Sequence, residues 1–245
     1  MKKAIIILPT YNEKENISTL ITEIYDVSSK NNLGLHIVVV DDNSPDGTAA
    51  IVKKIMYEKF KQNLFIIERP GKMGLGTAYI AGFRFALEKE YDYAITMDAD
   101  FSHKPSYLPS MLKKMETCDL CVGSRYVPGG GTKNWGISRK IISRSTNLLA
   151  HTLLGLKAND CTAGFRCYKK EVLSTINLNN IYSNGYSFLL EMMYKCQVNN
   201  FKIGEIPIIF EDRRVGVSKI SRQEIIKAMK TLMKFTWRRI RGVKE

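Results

Sequence analysis

Two aspartates, Asp98 and Asp100, are separated by one residue and end the apolar run 93–97. In the turn after a strand, carboxylates at this spacing can face one ligand. Such hard oxygen groups bind a divalent cation, which could bridge the phosphates of a nucleotide-linked substrate and neutralise a leaving diphosphate. The same spacing is also typical of a turn in which Asp caps the next helix. The dipeptide alone leaves both interpretations open.

Two earlier strand ends carry groups that suit a nucleotide. Asp41 ends an apolar run and could accept hydrogen bonds from a base or a ribose. Tyr11 and Glu13 follow the first apolar run and offer a ring for stacking and a carboxylate. Each segment is also compatible with an ordinary turn or helix start. Together with the Asp98 turn, the three strand ends favour a nucleotide-binding crevice.

The elements that must position these residues follow from alternating apolar and amphipathic stretches. This alternation predicts a parallel sheet with crossover helices, and ligands bind at the carboxyl ends of the strands in such sheets. The predicted strands are 4–8, 35–40, 64–68, 93–97, 120–123 and 203–210, and the predicted helices are 16–30, 46–61 and 76–89.

Length and composition favour a single α/β unit. The chain has 245 residues, 44% of them hydrophobic, which is enough for a substantial core. We predict a catalytic domain over residues 1–221 and a basic amphipathic helix over 222–245 that belongs to the same unit. No apolar run reaches the ~20 residues that span a bilayer. The sequence therefore predicts a soluble or peripheral protein without a signal peptide.

Charge and cysteine content narrow the function classes. Lys and Arg number 37 against 24 Asp and Glu, a formal charge of +13 that favours anionic partners. Nucleic acid is not expected, since no helix-turn-helix, zinc-finger or aromatic RNA-binding motif accompanies the charge. The five cysteines include one C-x-x-C pair, Cys118 and Cys121. Reduced structural thiols are predicted, as is typical of the cytoplasm.

A series of motifs carries a resemblance to a known family. They are LPTYNEKENI, VVVDDNSPDGT, GLGTAY, MDADFSH, VGSRYVPGGG, RKIISR, DCTAGFR and GEIPIIFEDRRVGVSK, in that order from Leu8 to Lys219. The sequence resembles glycosyltransferase family 2, and within it the dolichyl-phosphate and polyprenyl-phosphate mannosyltransferases. The resemblance covers nearly the whole chain.

The resemblance implies a fold, a donor, a metal and an acceptor. The fold would be the A-type glycosyltransferase fold, with a Rossmann-like, mostly parallel central sheet flanked by helices. GDP-mannose would be the donor, Mg²⁺ or Mn²⁺ the cofactor, and a polyprenyl or dolichyl monophosphate the acceptor. Phe101 stands where some relatives have Gln, so no side-chain metal ligand is available at that position.

The resemblance also assigns site residues. The guanosine end would be held by Pro9, Tyr11, Glu13, Val39 and Asp41. The diphosphate would lie at Asp98, Ala99 and Asp100, with Asp98 and Asp100 as metal ligands. Arg125, Arg213 and Lys219 would also contact the donor.

The basic residues in these motifs favour a second anion. Arg125, Arg139, Arg213, Arg214 and Lys219 are more cations than one diphosphate requires. A lipid monophosphate is already an anion and needs no general base to attack. We therefore assign catalysis to Asp98, Asp100, Arg125 and Arg139, with inversion at the anomeric carbon. Arg213, Arg214 and Lys219 flank Gly216, which predicts that segment 211–221 closes over the donor.

Three other polar residues belong to the same stretch of motifs. Asp160 could orient Arg166 or the sugar, or could form a structural ion pair. His103 and His151 lack a paired ligand pattern and are not assigned to a metal.

A lipid acceptor implies contact with a membrane. Segment 225–240 has apolar residues near helical spacing among many cations, which predicts an amphipathic helix on an anionic surface. Its apolar positions are Ile225, Met229, Leu232, Met233, Trp237 and Ile240. A second such stretch runs over 141–154, behind Arg139 and Arg144. Both would also fit helices that pack on the core.

We expect a peripheral location on the cytoplasmic face of a membrane. The need for a small membrane-anchoring subunit is left open. Three functions are alternatives to mannosyl transfer from GDP-mannose: the same reaction with UDP-glucose, a basic nucleic-acid-binding protein, and an inactive nucleotide-sugar-binding subunit.

Overall fold

The computed structural model describes the backbone of residues 2–212 and 222–241, and the side chains of residues 2–212 and 226–241. Its strands are β1 (Ala4–Thr10), β2 (Leu35–Asp41), β3 (Leu64–Glu68), β4 (Tyr93–Thr96), β5 (Leu120–Ser124), β6 (Gly131–Lys133), β7 (Arg166–Lys169), β8 (Ile203–Pro207) and β9 (Ile209–Glu211). Its helices are α1 (Lys14–Lys30), α2 (Thr48–Glu58), α3 (Leu75–Glu88), α4 (Leu108–Lys114), α5 (Ile137–Leu154), α6 (Lys170–Thr175), α7 (Ser187–Val198) and α8 (Arg222–Ile240).

Seven strands form one central sheet in the order β3-β2-β1-β4-β7-β5-β8. Every neighbouring pair is parallel except the two that involve β7, which runs antiparallel to both β4 and β5. The carboxyl ends of β1, β2, β4 and β5 therefore meet at one edge, where the predicted site residues follow the strands. This confirms the mostly parallel sheet flanked by helices.

Two apolar cores cover the two faces of this sheet. One contains residues of α3, α7 and α8, and the other contains residues of α1, α2 and α4. The residues of β1 alternate between them, with Ile5 and Ile7 in one core and Ile6 and Leu8 in the other. Because the sheet is covered on both faces at β1, the sequence of this strand is a nearly continuous apolar run.

The sequence prediction was wrong at two places in the second half. The run 203–210 is two strands: β8 joins the central sheet, whereas β9 pairs with β6 in a separate two-stranded sheet. Strand β7 was missed because its residues, Arg-Cys-Tyr-Lys, contain two cations and no long apolar run. Arg166 is nevertheless fully buried, and it donates to the backbone oxygens of Ala163, Leu189 and Cys161.

The helix predictions need correction in detail. Helix α5 begins at Ile137, four residues earlier than predicted. Leu154 and Leu232 lie in the core rather than on an outward apolar face, since each is 1% exposed.

The five cysteines are free and buried, as predicted. Among the described residues, no helix has both the length and the apolar character needed to cross a bilayer.

Candidate active site

The turn after β4 holds the two predicted metal ligands. Asp98 Oδ1 accepts a hydrogen bond of 3.0 Å from the hydroxyl of Tyr79 on α3. Asp100 is buried, and its Oδ1 accepts a bond of 3.1 Å from the backbone N–H of Ser102. Both aspartates line the same cavity. The turn therefore brings the two carboxylates to one cavity, and their binding of a common ligand stays a prediction.

A left-handed residue shapes this turn. Phe101 has φ of 64°, which non-glycine residues adopt only at a conformational cost. The turn leads back to His103, whose Nδ1 accepts a hydrogen bond of 3.2 Å from the backbone N–H of Asp98. Burial lowers the pKa of His103, against the opposing effect of Asp98 and Asp100. A neutral imidazole with its proton on Nε2 fits this hydrogen bond.

The residues predicted to hold the guanosine lie in and directly after β1 and β2. The Asp41 carboxylate is buried and accepts bonds of 2.7 Å from Thr10 Oγ1, 2.7 Å from Ser44 Oγ and 2.9 Å from Ser44 N. These internal bonds fix the loop after β2, so direct contact between Asp41 and a nucleotide stays a prediction. Tyr11 is half-buried, and Lys72 Nζ lies 4.8 Å from its ring centroid.

Four other residues that the resemblance assigned to the donor lie near the ends of β1, β2 and β4. Glu13 Oε2 accepts a bond of 2.9 Å from Asn16, and its backbone N–H donates to Thr48. Val39 is buried within β2, and Pro9 pairs with Val40 in the register of β1 and β2. Ala99 is buried between the two aspartates. None of these residues lines the cavity at Asp98.

An ion pair that was not predicted from the sequence, Arg69–Asp42, lies next to Asp41. Arg69 follows β3, and its Nε donates 2.6 Å to Asp42 while its Nη1 donates 2.7 Å to Thr77 on α3. The Arg69 and Asp42 side chains are nearly buried, at 8% and 9% exposure. The pair links the ends of β2 and β3 to the start of α3. The one sequence feature that could have indicated this ion pair is the second aspartate, Asp42, directly after Asp41.

Arg125 follows β5 and forms a buried ion pair with Asp160. Its Nε and Nη2 donate 2.7 Å each to the two carboxylate oxygens, and Nη2 also donates 2.7 Å to Thr162. Burial opposes the charge on Asp160, but Arg125 outweighs it and lowers the pKa of Asp160. Asp160 therefore orients Arg125, and the alternative that it orients Arg166 is wrong.

Arg139 lies on the first turn of α5, within the same cavity. Its Nη1 donates 2.7 Å to Asp212, and its guanidinium carbon lies 4.2 Å from the centroid of the Trp135 indole. Arg125 and Arg139 both contact Trp135 and Phe210 by cation–π geometry. The structure thus gathers the four predicted catalytic residues around one cavity. Arg213, Arg214 and Lys219, with the predicted lid over 211–221, lie outside the described residues except for Glu211 and Asp212.

The cavity has a volume of about 400 Å³ and is lined by both charged and apolar side chains. The two aspartates and two arginines form its polar part. Helices α5, α7 and α8 supply the apolar wall, with Leu149, Leu189, Leu190, Ala228, Met229 and Leu232. Such a cavity can hold a ligand with a charged head and an apolar tail.

Comparison with known proteins decides the family. The sequence profile described as Glycosyl transferase family 2 matches residues 5–176. The chain belongs to glycosyl transferase family 2. This glycosyltransferase is 39% identical over 229 residues to a polyprenol monophosphomannose synthase of Mycolicibacterium smegmatis, covering 93% of this chain and 84% of the relative. It is 41% identical over 219 residues to an undecaprenyl-phosphate mannosyltransferase of Micrococcus luteus, covering 89% and 88%.

Solved structures show the fold of this glycosyltransferase. A glucosyl-3-phosphoglycerate synthase from Mycobacterium tuberculosis in complex with UDP superposes with a TM-score of 0.68 at 14% identity, over 100% of this chain and 82% of the other. A mannosyltransferase from Pyrobaculum calidifontis in complex with GDP-Man and Mn²⁺ gives 0.63 at 18% identity, over 99% and 65%. The A-type glycosyltransferase fold is therefore confirmed.

Proposed function

We propose that this glycosyltransferase transfers mannose from GDP-mannose to a polyprenyl monophosphate, with inversion at the anomeric carbon. One observation carries the proposal: a single cavity joins two carboxylates, two arginines and an apolar wall. The activities named for the two sequence relatives, which align over most of the chain, support mannose and the lipid phosphate. The GDP-Man complex of a structural neighbour supports the donor.

The donor set of Asp98 and Asp100 fits Mg²⁺ or Mn²⁺. These ions prefer oxygen ligands and are often held by one or two carboxylates together with substrate phosphates. Among the described residues, no group of three or more His, Cys, Asp or Glu side chains could hold a metal. The diphosphate and water would therefore complete the coordination. A bound cation would neutralise charge on the leaving GDP.

The chain's own residues explain how the acceptor is held. A phosphate monoester is anionic near neutral pH, so no general base is required. Arg125 is fixed by Asp160, which leaves Nη1 without a partner among the described residues. Arg139 contacts the same two rings, Trp135 and Phe210, as Arg125. An acceptor oxygen held by these cations would attack the anomeric carbon as the bond to the GDP oxygen breaks.

The apolar tail of the acceptor requires a route to a membrane, and α5 and α8 provide one. Both helices line the cavity, and both expose large apolar side chains to solvent. These are Ile137, Ile141, Ile142, Leu148, Ile226, Met229, Met233, Trp237 and Ile240, which we call the apolar patch. Exposed cations on the same helices, such as Lys140, Arg144 and Lys230, suit anionic headgroups. We propose that this patch contacts the membrane surface.

The catalytic unit and α8 act as one body in this proposal. Leu232 and Phe235 of α8 are buried in the core that α7 also lines, and the Phe235 ring centroid lies 5.0 Å from that of Tyr194. A helix packed in this way positions the apolar patch relative to the cavity. Whether a membrane-anchoring subunit also takes part is a separate test, made by assaying the chain alone.

The decisive experiment incubates the purified chain with labelled GDP-mannose or UDP-glucose, a short polyprenyl phosphate, and Mn²⁺ or EDTA, followed by lipid extraction. We expect label in the lipid phase only with GDP-mannose, metal and the phosphorylated acceptor. The matched polyprenol without phosphate is the control. Preference for UDP-glucose would overturn the donor, and equal transfer in EDTA would overturn the metal.

A further inference from the structure

Two residues that line the cavity, Trp135 and Arg139, each carry a buried N–H donor that the described part of the protein does not satisfy. Trp135 Nε1 and Arg139 Nε have no hydrogen-bond partner in the described structure, and Tyr25 Oη is the only other such buried side-chain atom among the described residues. Trp135 is only 8% exposed. Unpaired buried donors are rare in folded proteins, and they often mark a missing ligand or water.

These two donors are adjacent and belong to one cluster. The Arg139 guanidinium carbon lies 4.2 Å from the Trp135 ring centroid, and that of Arg125 lies 5.1 Å from the same centroid. Phe210 packs edge-on against Trp135 at 5.3 Å. Two cations thus contact one indole, where indole and guanidinium groups line the cavity together.

The chemistry of the cluster selects its ligand. Indole and guanidinium groups can donate but not accept hydrogen bonds, so the ligand must present acceptor oxygens. Two neighbouring cations favour an anion over a neutral hydroxyl. Asp98 and Asp100 also line the cavity, and the proposed function puts the diphosphate at these carboxylates. The proposed reaction has one other anionic group, the phosphate monoester of the acceptor, and this group suits the cations and the indole N–H at Trp135.

We propose that Trp135 is an acceptor-binding residue whose indole N–H donates to an oxygen of the lipid phosphate. The inference rests on the proposed function and adds a neutral donor to its two arginines. The ring of Trp135 also contacts both Arg125 and Arg139, so the same residue would pack against the two cations and donate a hydrogen bond to the ligand. Asp212, bonded to Arg139 Nη1, leaves the Nε of that arginine for the same ligand.

The first test is Trp135→Phe in the full chain, which keeps an aromatic ring and removes the donor. We expect the KM for a short polyprenyl phosphate to rise about tenfold, within the range for a hydrogen bond to a charged group. The KM for GDP-mannose should change by less than about twofold. An unchanged lipid KM, or an equal rise in both constants, would overturn the proposal.

The second test does not require the Phe variant to fold. The chain has two tryptophans, so Trp237→Phe leaves Trp135 as the single indole emitter. Titration with short polyprenyl phosphate should change its emission, whereas polyprenol of equal length should not. Inorganic phosphate should give the same change only at much higher concentration. A response to polyprenol, or to inorganic phosphate at equal concentration, contradicts the assignment.

The two proposals fail differently. If the unsubstituted chain forms no mannosyl lipid with any donor, the proposed function fails while the fluorescence titration still reports phosphate binding. If mannosyl lipid forms normally and neither measurement involves Trp135, only the present inference fails.

Discussion

The hydroxyl of Tyr79 on α3 donates a 3.0 Å hydrogen bond to Oδ1 of Asp98 in the turn after β4. Tyr79 is fully buried, and burial together with Asp98 raises its pKa well above the usual range. The phenol therefore stays protonated and acts as a permanent donor. One oxygen of Asp98 is thus oriented by the fold before any ligand binds.

Tyr79→Phe should weaken metal binding. Loss of a group that orients a metal ligand typically costs about 10- to 100-fold in affinity. We expect a rise of about tenfold in the Kd for Mn²⁺ in the presence of GDP, measured by electron paramagnetic resonance. The matched control is Tyr168→Phe, another buried tyrosine, whose hydroxyl accepts from Arg166 instead. Equal Mn²⁺ affinities in the two variants would contradict the role of Tyr79.

Asp100→Ala should abolish mannosyl transfer while leaving the fold intact. Removing one of two carboxylates uncouples the cation from the leaving diphosphate. We expect a loss of at least about 100-fold in kcat that added Mn²⁺ does not restore. Circular dichroism controls for folding, and Asp100→Asn keeps an acceptor for the Ser102 N–H. Near-normal turnover of either variant at high metal would remove Asp100 from the site.

Arg139→Ala should weaken the acceptor more than the donor. We expect the KM for a short, soluble polyprenyl phosphate to rise about tenfold, because a charge-assisted contact is lost. Arg144→Ala is the matched control, since Arg144 is exposed on the same helix and does not line the cavity. If the KM for GDP-mannose rises instead, Arg139 belongs to the donor side.

Asp160→Asn should strongly destabilise the protein. Breaking a buried ion pair leaves Arg125 uncompensated and costs about 3–5 kcal/mol in the free energy of unfolding. Glu68→Gln removes the exposed pair with Lys53, whose side chains are 49% and 50% exposed, and should cost less than about 1 kcal/mol. Urea unfolding measures both variants, and equal costs would contradict the importance of the buried pair.

The same pair has a defined pH dependence. The folded-state pKa of Asp160 is lowered, so its stabilising contribution is complete above the unfolded value of about 3.9 and declines as the pH falls below it. We expect the stability difference between the unsubstituted chain and Asp160→Asn to shrink between pH 5 and about pH 3. A difference that grows on acidification would contradict the sign of this shift.

The apolar patch can be tested by point substitutions. Deleting α8 would also remove Leu232 and Phe235 from the core, so Met233→Ser combined with Trp237→Ser is the better change. We expect binding to anionic liposomes at low salt to fall several-fold while GDP binding persists. Tyr57→Ser is the control, because Tyr57 is 79% exposed on α2, which packs on the opposite sheet face. Equal liposome binding by both proteins would exclude this face.

Local sequence patterns were enough to predict the parallel half of the sheet and the polar residues in the turns that follow its strands. The apolar runs of β1, β2 and β3 are local patterns that set secondary structure through burial on both faces. The spacing of Asp98 and Asp100 is equally local. The motifs then indicated the family, which its sequence profile confirmed.

The hydrogen-bond and ion-pair partners of these residues, by contrast, depend on the three-dimensional packing. Strand β7 and the β6–β9 pair depend on contacts between distant segments, so no short pattern revealed them. Asp160 pairs with Arg125 rather than with Arg166. The fold brings Arg125 and Asp160, 35 positions apart in the sequence, into a buried bidentate ion pair. Arg166 instead donates hydrogen bonds to backbone oxygens. The same dependence on packing explains why the contacts of Tyr79, Trp135 and Asp212 with the site were not predicted. Side-chain types are fixed along the chain, but their hydrogen-bond partners depend on which buried groups the packing brings within about 3 Å.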